Sequence, residues 1–400
     1  MKINYLLTEN INPNGSSGAS AHIRENIKNL RVLGHTVILI HPDNDDCNSK
    51  YETSKGRFGK KLIHAVTTTP IRRVVANYRT RKQEYHLIHN NILKFSDCDV
   101  IYERDAFQAF EIYNQQKKLK KPWIIECNGY YWGALAADFH QPSFPKAYKR
   151  KHLQKWMSAD HLIVVSSRFK EKMIHDGIQA DKISVIHNGV DLKAYKNVDM
   201  LSVKKIRHTL GFDNEIVIGF IGSILPWHRV DMFLEAIRKL KNDFPIKGLI
   251  VGGGIWKMYQ EKAKEMGLEK DVVFTGMVDP MKVPKMVSAM DICTLPGSTD
   301  YNSPVKLFDY GAAKKPVVAA NFQAVSEILD DRKSGLLFSQ GNLESYVNTL
   351  RELLNDKGLQ NRLGNNLHAN VSKYHSWEYV ASQTNQIIEK VVHKNVQLQT

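Results

Sequence analysis

The residues best placed for chemistry lie in 298-STDYNSPVKLFDYGAAKKPVVAAN-321, where Lys306 and Asp309 open what reads as a short helix, after a loop of small polar residues and ahead of a buried strand. That loop, 297-GSTDYNSP-304, has three counterparts. The segments 10-NINPNGSSGAS-20, 222-GSILPWHR-229 and 252-GGG-254 also follow apolar runs. Glycine and serine let a backbone come close to phosphate, and the start of a following helix favours negative charge. One such loop is ordinary turn chemistry. Four at equivalent positions point to a phosphate-bearing ligand.

Short apolar runs alternate with amphipathic segments along the whole chain. They are KINYLL, HTVILIH, DVIYE, PWIIE, HLIVVS and ISVIHN in the first half, and IVIGFIG, GLIVGGG, DVVFTG, DICTLP, PVVAAN and GLLF in the second. Near-continuous apolar strands belong to parallel sheets covered on both faces, so two sets of six predict two doubly wound α/β domains. Ligands of such sheets bind beyond the carboxyl ends of the strands, where the four loops fall. The polar stretch 191-DLKAYKNVDMLSVKKIRHTLGF-212 separates the sets, and domains are expected over 1–195 and 210–375. In the remainder, 376–400, SWEYVASQTNQIIEKVV has apolar residues at helical spacing and is expected to cross back onto the first domain.

With 400 residues, 42% of them hydrophobic, the chain can bury two cores, and it holds no apolar run long enough to span a membrane. The opening MKINYLLTENINPNG turns polar too soon for a secretory signal and reads as a first strand and its loop. Cys47, Cys98, Cys127 and Cys293 lie far apart with no CxxC pair, which argues against a disulfide framework or a zinc site and for a reduced, cytoplasmic protein. The net charge of +15 is concentrated: residues 50–82 carry ten Lys or Arg against one acid, Glu52, and residues 146–155 add five cations and no acid. Such clustering predicts an anionic partner. In 50–82 the cations are mixed with Phe58, Leu62, Ile63, Val66, Ile71, Val74, Val75 and Tyr78, the composition of an interfacial amphipathic element, so the expected partner is an anionic membrane surface. The alternative is a solvated basic face over core residues. Nucleic acid is not expected, for want of a base-reading module or a stacking platform.

The segments 183-ISVIHNGVDLKAY-195, 217-VIGFIGSILPWHRVDMFLEAI-237, 250-IVGGG-254, 272-VVFTGMV-278 and 302-NSPVKLFDYGAAKKPVV-318 together resemble the retaining, nucleotide-sugar-dependent glycosyltransferases of family 4. In the first half 15-GSSGASAHIRENIKNLRVLGHTVILI-40 and 99-DVIYERD-105 fit the same family. The resemblance implies the GT-B architecture, two Rossmann-like domains facing each other across a cleft. It also implies a nucleotide-diphosphate sugar as donor and a glycan or polyprenyl-linked glycan as acceptor, in surface polysaccharide or glycolipid synthesis. No metal or other cofactor is expected, since no Asp-x-Asp stands in the cleft loops.

The family commonly carries two acids here, the second holding the ribose hydroxyls. Asp309 takes the second position and Tyr301 the first, and the stretch is similar to the SPLKLFEY variant, in which the preceding loop, here Ser303, Pro304 and Val305, and a lysine, here Lys306, contact the donor. The family's Arg and Lys positions for the diphosphate hold Ser223 and His228, so Arg229 and Lys306 are the expected cations, with His228, Ser223 and Gly222 assisting. Gly253 and Gly276 belong to the nucleotide side, and Gly15 and Ser16 are expected over the phosphates or the acceptor. Asn128 stands where the family places a residue that reaches the donor sugar, and Glu126 points to the same side of its strand. Plainer roles remain open: Asp309 as a surface acid balancing lysines, Trp227 and His228 as a helix cap, Glu126 as a partner of Arg104. In the family's mechanism the protein supplies positioning and charge rather than a nucleophile. Two readings of other classes stand beside it. A nucleotide-sugar 2-epimerase of the same architecture would need dense acids and bases around the sugar, in which the cleft loops are poor, and a non-catalytic binder of anionic polymers would use only the basic segments.

Overall fold

The computed structural model describes residues 1–9, 11–15, 17–42, 70–131, 142 and 144–397, with side chains from residue 74 onward in the helix Pro70–Asn90. The apolar runs become two six-stranded sheets. The first contains β1 (Lys2–Leu7), β2 (Thr36–Ile40), β3 (Val100–Arg104), β4 (Trp123–Cys127), β5 (His161–Val164) and β6 (Ile183–Val185). The second contains β7 (Ile216–Ile221), β8 (Ile246–Val251), β9 (Val272–Gly276), β10 (Ile292–Leu295), β11 (Val317–Ala320) and β12 (Leu336–Phe338). Every pairing is parallel, in the orders β2-β1-β3-β4-β5-β6 and β12-β11-β10-β7-β8-β9. This is the doubly wound α/β pair that the sequence predicts.

Burial on both faces is why these runs are strands. Successive side chains alternate across a strand, and here each side meets helices. Ile3, Tyr5, Leu7, Val100, Tyr102 and Ile124 enter one apolar layer, while Leu6, Ile101, Trp123 and Ile125 enter the other. Each strand order reverses once, between β1 and β3 and between β7 and β10. At such switch points neighbouring loops part and leave a crevice.

The chain changes domain where Val190 N–H donates to His375 O (2.9 Å). Val190, Leu192 and Tyr195 already pack on the second core, so the change comes before Val190 rather than at residue 195. The helix Trp377–Gln397 returns to the first domain, setting Ile388 and Val391 in the layer with Ile3, Ile23 and Ile27. No helix among the described residues is long and apolar enough to cross a membrane. Of the segment read as interfacial, 50–69 lies outside the described residues, as does the side chain of Ile71; Val74, Val75 and Tyr78 are exposed.

A polar network runs through the first core. The fully buried Lys155, on the helix Pro145–Ser158, donates to Glu103 Oε1 (2.7 Å) and Asp105 Oδ1 (2.6 Å). Trp123 Nε1 donates to Glu103 Oε2 (3.0 Å) and Trp156 Nε1 to Asp105 Oδ2 (3.0 Å), with His152 Nε2 2.9 Å from the same oxygen. Of the five cations counted in 146–155, Lys155 is therefore internal. Removing it would leave two buried carboxylates short of a cation. Lys155→Met is expected to lower the unfolding free energy by about 3–5 kcal/mol, measured by urea denaturation at neutral pH; an unchanged midpoint would show that the network is not coupled to folding.

Candidate functional site

The crevice of the second domain is built on close backbone contacts. β7 ends into Gly222, at a φ of +114°, where a Cβ would meet Lys306 Cε at 2.7 Å. β8 ends into Gly252, where a Cβ would lie 2.1 Å from Gly222 O. Only glycine gives both the left-handed backbone and the clearance. Lys306 then reaches into the crevice at the start of the helix Lys306–Ala312, its ammonium 5.3 Å from the centroid of Phe220 and 3.1 Å from His228 Nε2. Burial, and secondarily the charge of Lys306, hold the His228 ring far below its usual pKa, so the neutral ring accepts from the ammonium. Burial brings Lys306 itself down to about 8. Among the described residues no carboxylate lies within ion-pair distance of it.

One turn further, Asp309 Oδ1 accepts from Tyr195 Oη (2.7 Å), and burial raises its carboxyl to about 6. Ahead of the helix, Asn302 Oδ1 and Ser303 Oγ are buried without a partner among the described residues. An unpartnered buried polar atom costs about 1–3 kcal/mol, so this loop has hydrogen-bonding capacity that the described residues do not fill. Pro304 O and Val305 O accept from Leu307 and Phe308 N–H and begin the helix, and Ser223 is exposed at the mouth of the crevice.

Other predicted residues are placed differently. Arg229 takes a left-handed φ of +52° before the helix Val230–Leu240, and Asp231 holds its guanidinium (Nη2–Oδ2 3.0 Å). It borders Gly297, where a Cβ would meet Arg229 Cγ at 2.7 Å. Gly253 faces Met277, and Gly276 turns beneath the Trp256 ring. Gly15 N–H donates to Asn12 O (2.9 Å), closing the turn before the helix Gly18–Val32; Ser16 lies outside the described residues.

Across the cleft, the buried Glu126 lies near the end of β4 among five groups, of which Asn26 Nδ2 is the most distant donor at 3.5 Å. Arg104 Nη1 (2.6 Å), Tyr102 Oη (2.7 Å) and Asn128 Nδ2 (2.7 Å) donate to it, and His22 Nε2 lies 3.0 Å away. Burial alone would raise its pKa, but His22 and Arg104 outweigh burial and hold the carboxyl below the usual range. The plain pairing with Arg104 is thus present, and Asn128 is turned toward Glu126. His22, whose Nδ1 lies 2.6 Å from Asn188 Oδ1, has no place in the sequence reading. The available signal was that His22, Asn26 and Asn29 share the buried face of their helix with Ile23, Ile27 and Leu30. Tyr195 offered no comparable signal.

The two sides meet at Tyr301. Its side chain, from the second domain's loop, packs in the first domain's core against Tyr130 and Phe169 (ring centroids 5.6 Å each). Ser166 Oγ donates to Tyr301 O, Ser167 N–H to Glu327 Oε2 (2.9 Å), and Lys172 Nζ lies 3.3 Å from Asp300 Oδ2. A Cβ on Gly129 would be 3.9 Å from Asn302 Oδ1, which brings the loop after β4 up to the loop after β10.

Two family profiles match the chain: Glycosyltransferase Family 4 over residues 16–194 and Glycosyl transferases group 1 over residues 202–369, between them both domains. The chain belongs to this glycosyltransferase family. An uncharacterized glycosyltransferase of Methanocaldococcus jannaschii, MJ1607, is 24% identical over 301 residues, 73% of this chain and 75% of that one. A D-inositol 3-phosphate glycosyltransferase of Corynebacterium glutamicum is 24% identical over 254 residues, 61% of this chain and 60% of that one. The crystal structure of Anabaena Alr3699/HepE in complex with UDP-glucose aligns with a TM-score of 0.73 at 18% identity, over 98% of this chain and 100% of that one. The shared fold is GT-B.

Because Tyr301 is packed as a core residue of the other domain, Tyr301→Ala is expected to lower the unfolding free energy by about 3 kcal/mol. In calorimetry it should also separate one coupled transition into two; a single transition at the parent temperature would show that this contact does not join the domains.

Proposed function

We propose that this glycosyltransferase moves a sugar from a nucleotide-diphosphate donor to a glycan or lipid-linked glycan, with retention of anomeric configuration, in the synthesis of a surface polysaccharide or glycolipid. The observation that carries the reading is Lys306, a cation held in a crevice at the sheet's switch point with a neutral imidazole for company. A cation there with no carboxylate within ion-pair distance among the described residues, and Asp309 acting on it from further off, suits a diphosphate. The complex of HepE with UDP-glucose, in the same fold, supports a nucleotide sugar as donor.

In this reading the Gly222 turn lets the backbone approach the diphosphate, while Ser303 and Asn302 fill their open hydrogen bonds on the donor. Once ionised, Asp309 accepts from both ribose hydroxyls. The acceptor oxygen attacks the anomeric carbon on the face that the diphosphate leaves. Its proton goes to a phosphate oxygen, and the electron pair of the broken C–O bond stays on the diphosphate, where Lys306 stabilises the growing charge. Arg229 lends positive potential from its pair with Asp231. Glu126, fixed as an anion, orients Asn128 and His22 at the cleft end of the first domain. The reading calls on no metal, since Lys306 and the loop supply the positive potential. The basic segments 50–82 and 146–155 hold the enzyme on an anionic membrane face, where a lipid-linked acceptor is met.

Calorimetric titration with nucleoside diphosphate and with nucleotide sugars tests the donor site. Asp309→Asn is expected to weaken binding by ~1.5–3 kcal/mol, the range for a hydrogen bond to a charged group. Parent affinity should rise as pH increases through about 6, where Asp309 ionises, and the variant should lack that rise. In Lys306→Ala turnover should fall more than donor affinity, because the leaving charge peaks in the transition state; small equal losses would overturn its role. The protein should cosediment with anionic but not neutral vesicles and be released by salt, and equal binding to both would remove the membrane from the reading.

A further inference from the structure

A cavity of about 530 Å³ lies away from the crevice, between the helices Pro70–Asn90 and Pro145–Ser158 and the loop that follows β3. That size is within the range of small-molecule pockets. Its lining includes Val74, Tyr78, Tyr113 and Phe144, and the aromatic rings of Tyr78 and Phe144 are largely exposed, at 64% and 72%. Exposed aromatic and aliphatic surface beside a cavity marks a place where apolar matter is covered.

The cavity also holds two cations over one ring. The guanidinium of Arg81 lies 5.8 Å and the ammonium of Lys151 4.6 Å from the centroid of Phe110. Arg81 Nε donates to Gln108 Oε1 (2.7 Å), which leaves the far nitrogens of the fork without a partner among the described residues. Glu84, the buried acid nearby, is committed elsewhere, since its oxygens accept from Phe110 N–H (2.9 Å) and Glu111 N–H (2.8 Å) at the start of the helix Glu111–Leu119. Among the described residues neither Arg81 nor Lys151 has a carboxylate within ion-pair distance. Burial, and then the neighbouring Arg81, lower the proton affinity of Lys151 against the weaker opposing pull of Glu84 and Glu111.

Two like charges over one ring, with no carboxylate within ion-pair distance among the described residues, leave a place for an anion, and the fork of Arg81 matches phosphate geometry. Free phosphate would leave the wall of Val74, Tyr78 and Phe144 wet. An anion carrying a hydrocarbon chain satisfies both halves. We propose that this cavity takes a lipid-borne phosphate, with the phosphate between Arg81 and Lys151 and the chain along Val74, Tyr78 and Phe144. The inference rests on the lipid-linked acceptor reading and gives the phosphate of the acceptor's carrier a site, yet it can be tested without any sugar transfer.

The test is calorimetric titration of the full chain with farnesyl diphosphate, farnesol and inorganic pyrophosphate, without nucleotide. Farnesyl diphosphate is expected to bind at least tenfold more tightly than either fragment, and Arg81→Gln and Lys151→Gln should each weaken it by about tenfold, as for a hydrogen bond to a charged group. Arg81 is exposed and Lys151 only half-buried, so both variants should fold and keep the parent affinity for nucleoside diphosphate. Pyrophosphate binding as tightly as farnesyl diphosphate, absence of binding, or binding that both variants leave unchanged and a nucleoside diphosphate displaces would each overturn the site. Transfer assays separate this inference from the reading beneath it. Farnesyl diphosphate bound here with no transfer to lipid-linked glycans keeps the cavity and overturns the acceptor class, whereas transfer with unchanged KM in both variants keeps the enzyme and overturns the cavity's role.

Discussion

Tyr301 belongs to the second domain by sequence and to the first by packing, and the geometry of the cleft depends on that contact. Its ring is a member of the first domain's core, and its carbonyl is held by Ser166. The loop that bears it runs directly into Lys306, so the helix carrying Lys306 and Asp309 is referenced to the opposite domain as well as to its own sheet. The pairing of Ser167 with Glu327, and of Asp300 with Lys172, adds polar contacts around the same seam. Apolar burial sets the approach of the domains, and the ion pairs set its orientation, because pairs at a solvated rim contribute little energy on their own.

Three of the charged groups withdrawn wholly or partly from water differ in how they are compensated, and the difference distinguishes their roles. Lys155 is neutralised by Glu103 and Asp105, which joins a helix to the end of β3. Glu126 is surrounded by donors and fixed as an anion. Lys306 meets a neutral imidazole and the Phe220 ring, and Asp309 acts on it from beyond ion-pair distance. The first two are complete without a ligand. The third is not, and in the loop ahead of it the buried oxygens of Asn302 and Ser303 have no partner among the described residues.

The strands, their parallel pairing and the crevice between β7 and β10 were legible in the sequence, because burial on both faces leaves continuous apolar runs and glycines mark where backbones touch. Lys306 and Asp309 were legible as neighbours for a similarly local reason, three residues of one helix. What escaped is long-range. Tyr301 looked like a missing acid because nothing local tells that its ring enters another domain. Lys155 was counted as surface charge because composition records charges without their partners. The same limit hid the pairing of Arg229 with Asp231, the approach of His22 to Glu126 and the bond of Tyr195 to Asp309. Those contacts span 2, 104 and 114 positions in sequence, and even the shortest depends on the left-handed turn at Arg229, which the residue types around it do not announce.

The chain passes between the domains twice, and the passages lie side by side: Val190 is hydrogen-bonded to His375, and Gly189 lies so close to the Trp377 indole that a Cβ would stand 2.9 Å from it. Laced together in this way, the two connections act mechanically as one. A pair of separated tethers would resist rotation and admit shear, whereas a single fastened crossing resists shear and admits rotation. The domains are therefore joined as the covers of a book are joined at the spine, with Tyr301 as the clasp that holds them at one angle.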